Sequence, residues 1–99
     1  MKLDQFKSSL SQSEPPDGLT PALQALWWDG KGDWAKAHGC VDDEPGEVAA
    51  WVHAYLHRKE GDLGNAGYWY GQAGKPVAKV SLEAEWAAIT ASLLKQEGA

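Results

Sequence analysis

His53, His57 and Glu60 stand at positions i, i+4 and i+7. On a helix that spacing puts two imidazoles and a carboxylate on one face, and His-x-x-x-His is a geometry that chelates a divalent metal. A metalloprotease helix carries a Glu between its two histidines to activate water; here residues 54–56 are Ala, Tyr and Leu, so that chemistry is excluded. His38 and Cys40 would enlarge the set to His/Cys/His/His. However, His-x-Cys is not a zinc-knuckle spacing and Cys40 is the sole cysteine. As a nucleophile and base they are poorly matched, because residues two apart on a helix point away from each other. The same trio also fits a plain reading, in which the histidines are surface residues or hydrogen-bonded groups in a second helix contact.

Aromatic side chains are the other candidates for contact. Tyr68-Trp69-Tyr70 cannot all face one core: Tyr70 is expected inward with Leu63 and Ala66, Trp69 on the flank, and Tyr68 outward near Gln72. Trp27 and Trp28 diverge by about 100° on a helix, so one belongs to the core and the other to a groove or dimer contact. Arg58 is placed to pair with Asp62 at i+4, across a turn at Gly61. The acidic run Asp42-Asp43-Glu44 with Glu47 sits at a helix start and lacks the ligand alternation of a calcium loop. Gly30-x-Gly32 follows a helix rather than a strand, so it is no phosphate cradle. No cofactor motif is present.

The elements that must position these residues read as helices throughout. Leu3, Phe6 and Leu10 mark a short amphipathic segment, broken by Pro15-Pro16-Asp17-Gly18. Thr20-Pro21 is a helix start, Asp33 and Asp62 are placed as caps after Gly32 and Gly61, and Ser81 caps a last helix. Trp34, Ala37 and Val41 form one inner face. Val48, Trp51, Val52, Tyr55 and Leu56 form a stripe on the strongest helix, with the His53/His57 face roughly opposite. Leu82, Trp86, Ile89 and Leu93 face inward at the end of the chain. A strand at Val77 to Val80 would have no partner.

An internal echo recurs at a spacing of 29 residues: Ala25-Leu26-Trp27-Trp28, Gly32-Asp33-Trp34 and Ala37 match Ala54-Tyr55-Leu56-His57, Gly61-Asp62-Leu63 and Ala66. Helix, Gly-Asp turn and a small Ala on the next helix together resemble the hairpin of tetratricopeptide (TPR) repeats. The segment Ala50–Arg58, continued through Gly61-Asp62 to Tyr68-Trp69-Tyr70, also resembles a family of small bacterial proteins of unknown function. That second likeness implies a bacterial cytoplasmic protein and no activity. The TPR resemblance implies stacked hairpins whose first helices line a concave surface, placing His53, His57 and Trp28 in the groove with Tyr68 beside them.

Composition narrows the classes further. The chain has 99 residues, 43% hydrophobic and 23% charged, with six Trp, enough for one packed core. A net charge of −5 argues against binding nucleic acid by phosphate neutralisation. No apolar run approaches the ~18 residues of a membrane span. The N-terminal segment reads as no secretory signal, and one cysteine fits a reducing cytoplasm.

The expected protein is all-α, with about five helices forming TPR-like antiparallel hairpins. Residues 1–19 form an N-terminal helix and Pro/Gly linker, 20–75 two hairpins, and 76–99 a C-terminal capping helix. The expected function is a non-enzymatic interaction module, with His53, His57, Trp28 and Tyr68 binding a protein or peptide partner or a second copy of the chain, and no cofactor. The alternative is a small metal- or ligand-binding protein, an enzyme in one version, using His53, His57 and Glu60.

Overall fold

A computed structural model describes residues 1–97; positions 98 and 99 of the expected capping segment lie outside the described residues. Six α-helices follow in order: α1 Leu3–Ser9, α2 Pro21–Gly30, α3 Trp34–Val41, α4 Glu47–Glu60, α5 Leu63–Ala73 and α6 Leu82–Glu97. No strand occurs among the described residues, so the fold is all-α. The count is six rather than about five: the N-terminal helix, four helices between residues 21 and 73, and the C-terminal helix all form as separate elements. Phe6 anchors α1, fully buried and 5.9 Å from the Trp86 ring. The Val77–Val80 segment forms neither helix nor strand.

The helix boundaries follow local chemistry. Thr20 accepts from the Leu23 N–H, Asp33 from Lys36, Asp62 from Asn65 and Ser81 from Ala84, each three residues on. These side-chain oxygens satisfy donors that the first helical turn leaves free. Between α4 and α5 the chain turns on Gly61, whose φ of 91° a residue with a Cβ adopts only at a cost.

Helix α4 is the hub, packed against α2, α3, α5 and α6. Its Val52, Tyr55 and Leu56 join Leu23, Leu26, Trp27, Val41, Ile89 and Leu93 in the main core. On another side Ala54 meets Ala66 and Tyr70 of α5. With neighbours on several sides, α4 buries more than one stripe: Ala50, His53 and His57 are inside as well. Val48, expected inward, is exposed because it lies at the first turn. Leu63 is likewise 69% exposed at the start of α5, whereas Ala66 and Tyr70 are buried as expected.

Two buried carboxylates fasten the helices. Glu85 of α6 accepts from Arg58 Nη1 at 2.8 Å and from the Tyr70 hydroxyl at 2.5 Å. Arg58 also donates to the Val80 carbonyl, so it reaches α6 and its approach rather than Asp62. Asp29 of α2 accepts from the Tyr55 hydroxyl at 2.7 Å and from Lys59 Nζ at 2.8 Å. Both phenols are pushed above their ordinary pKa, first by burial and then by these carboxylates.

Candidate metal centre

The three histidines of the chain converge. His38 comes from α3, and His53 and His57 come from successive turns of α4; one ring nitrogen from each lies within 4.8 Å of the other two. His38 Nε2 and His53 Nε2 are 3.0 Å apart. The convergence depends on how α3 docks. Trp34, in the first turn of α3, donates its indole N–H to the Leu56 carbonyl at 2.8 Å, which ties α3 to α4. The same indole stacks on His38, at 4.9 Å between centroids and 13° between planes.

Helix α5 closes the other side. Trp69 stacks on His53 at 4.1 Å, and His53 in turn stacks on His57 at 5.0 Å. His57 Nδ1 is 2.6 Å from Glu60 Oε1, and the Asn65 amide is 3.3 Å from His57 Nε2. A neutral His57 therefore carries its proton on Nδ1, donates it to Glu60, and accepts from the Asn65 amide at Nε2, the lone pair that a metal would take over from Asn65. This carboxylate–imidazole pairing fixes the tautomer and raises the basicity of a metal-binding nitrogen.

Burial and the neighbouring imidazoles favour the neutral form of His53. His53 is lowered to about 4, first by burial and then by His38 and His57, against an opposing pull from Asp42. Neutral, inward-facing nitrogens are the form in which histidine ligates a metal. Cys40 lies outside the cluster, half-buried, and burial pushes its thiol up.

The expected site residues thus divide. His53 and His57 are 3% and 7% exposed, lying inside the contact of α4 with α3 and α5 rather than along an open groove. The cause is the pair of indoles, Trp34 and Trp69, that cover this face. Glu60 meets His57 but on the nitrogen away from Asn65, while His53 pairs with His38 instead. Trp28 is half-buried at the rim of the main core with Lys36 Nζ 4.2 Å from its ring centroid, and Tyr68 is 58% exposed. A second group, His57, Glu60 and Asp62, also falls within 4.8 Å, but its two carboxylates are exposed and Asp62 is engaged as the α5 cap. Sequence spacing missed the wall residues Trp34 and Trp69; it offered His38 only together with Cys40, and the structure brings His38 to the cluster and leaves Cys40 outside it.

Comparison with known proteins finds no matching family model, no matching curated protein and no matching solved structure.

Proposed function

We propose that this protein binds a late first-row divalent metal ion, with Zn²⁺ the reference case, through His38, His53 and His57. The supporting observation is the convergence of three imidazole nitrogens from two helices within 4.8 Å. Zinc–nitrogen bonds of about 2.0–2.1 Å at tetrahedral angles set ligand nitrogens roughly 3.3–3.4 Å apart. The 3.0 Å separation of His38 and His53 needs only a small adjustment to reach that spacing. An all-imidazole set selects zinc, copper or nickel over magnesium and calcium, which require oxygen ligands. Glu60 orients His57 from outside the ligand shell.

Chelator-treated protein titrated with Zn²⁺ against a competing indicator is the direct test. One tightly held ion per chain is expected, with affinity falling sharply in His38→Ala. His38 is the least buried of the three, so this variant is the least disruptive to the fold. Equal affinity in wild type and the His38→Ala variant would sink the reading.

The exposed Tyr68 supports a second reading, in which helix pairs arrayed in the TPR manner bind a peptide or another copy of the chain. Self-association through this face requires a concentration-dependent mass that Tyr68→Ser abolishes.

A further inference from the structure

Resting on the metal-binding reading, we infer that Asp42 supplies the fourth ligand, making a closed three-histidine, one-carboxylate site that holds its ion without an exchangeable water. Asp42 follows His38 by one helical turn, at the C-terminal end of α3. Its Oδ1 lies 3.9 Å from His38 Nε2, the same nitrogen that stands 3.0 Å from His53 Nε2. Those two distances bracket the roughly 3.3–3.4 Å edge of a tetrahedral coordination shell. Asp42 stands outside the set of nitrogens that lie within 4.8 Å of one another, and its side chain is 58% exposed, so ligation requires this solvent-facing carboxylate to swing inward.

Direction of approach points the same way. Trp69 covers His53, Trp34 stacks on His38, and Asn65 and Glu60 flank His57. The remaining open side is the end of α3, where His38 and Asp42 meet solvent. Charge is the second consideration. Three neutral imidazoles leave a divalent ion with its full double charge beside two buried side chains, and an ion so placed requires pairing. Asp42 removes one unit of that charge by ligation, and Glu60 offsets the other through His57. Four protein ligands characterise sites that retain an ion, whereas hydrolytic zinc sites keep one position for water. The site is therefore built to hold or carry its metal.

Co²⁺ serves as the probe, because four-coordinate Co²⁺ absorbs strongly in the visible and higher-coordinate Co²⁺ absorbs weakly. Wild-type protein should give the strong four-coordinate spectrum and should not respond to added azide, which requires an open position. Asp42→Asn should weaken Co²⁺ binding by more than the about 10–100-fold typical of an outer-shell loss. Its spectrum should become azide-sensitive. Asp43→Asn removes the same charge one residue further and should leave affinity and spectrum as in wild type. An azide response in the wild type, or an Asp42→Asn variant matching Asp43→Asn, overturns the fourth-ligand assignment while leaving the three-histidine site standing. Failure of the wild type to take up Co²⁺ and Zn²⁺ at all overturns both together.

Discussion

Trp69 lies parallel to the His53 imidazole, 4.1 Å away and tilted by 16°, so an indole from α5 forms one wall of a cluster built on α3 and α4. Trp34 plays the same part against His38. Two of the six tryptophans are thus in van der Waals contact with proposed ligands, and the others belong to the core or its rim. Cu²⁺ bound by these histidines should quench tryptophan emission through the two contacting indoles. Trp69→Phe, which keeps the Trp34 bond to Leu56, should lose part of that quench while still binding copper. A quench of undiminished fraction in this variant would place the copper away from Trp69.

Glu60 acts on the metal only through His57. Glu60→Gln keeps a hydrogen-bond acceptor on Nδ1 but removes the charge that raises the basicity of Nε2. Zn²⁺ affinity should fall by about 10–100-fold, as for other carboxylates behind a ligating histidine. Glu60 is partly exposed, so the thermal midpoint of the metal-free protein should move little. Competition titration and a melt on the same sample separate the two effects.

The metal-free protein should weaken in mild acid through His53. Its folded pKa of about 4 lies below the ordinary imidazole value of 6.5, so the unfolded chain takes up the proton first as pH falls. The associated stability is complete above about pH 6.5 and is lost as pH drops toward 4, at most about 3 kcal/mol. Urea titrations at pH 7 and pH 4.5 should show a larger loss for wild type than for His53→Gln, whose amide does not titrate. Equal losses would assign the acid sensitivity to other groups.

What was legible in the sequence and what was not divides by range. Thr20, Asp33, Asp62 and Ser81 were readable as caps because each acts on an amide three residues away. The Tyr68–Tyr70 split was readable because helical phase alone decides it. The histidine cluster was half-readable: His53 and His57 share a helix face, but His38 joins them only through the docking of α3, which the Trp34 bond to Leu56 sets. Position 34 carries no sign of that bond. The open groove failed for the same reason in reverse, since α3 and α5 both close over a face that the pattern of α4 alone leaves free. Glu85 and Arg58, twenty-seven residues apart, were invisible to any local rule.

That pair carries its own expectation. Glu85 is buried, and Arg58 is its cationic partner alongside the Tyr70 hydroxyl. Arg58→Ala leaves the carboxylate buried with a single neutral donor and should cost about 3–5 kcal/mol. Adding Glu85→Gln should recover a large part of the loss, because the unpaired charge disappears while Tyr70 keeps an acceptor. Denaturant midpoints for the single and double variants measure the coupling; additive losses would mean that the two side chains act independently. Tyr70 adjoins Trp69, so this fastening also sets how α5 lies against the histidines.

Helix α5 holds those wall residues on an unusually glycine-rich backbone. Gly67 and Gly71 lie in its interior, and a Cβ at either would meet nothing within 4 Å. A glycine inside a helix costs about 0.5–1 kcal/mol relative to alanine, chiefly in backbone entropy. Gly67→Ala and Gly71→Ala should therefore each raise stability by about 0.5–1 kcal/mol, since neither replacement incurs a clash. Because α5 presents Trp69 and Asn65 to the cluster, the stiffened variants should bind Zn²⁺ at least as tightly as wild type. Urea unfolding and metal competition on both variants check the two halves of this expectation. Lower stability in either variant would show that α5 draws on conformations that alanine disfavours.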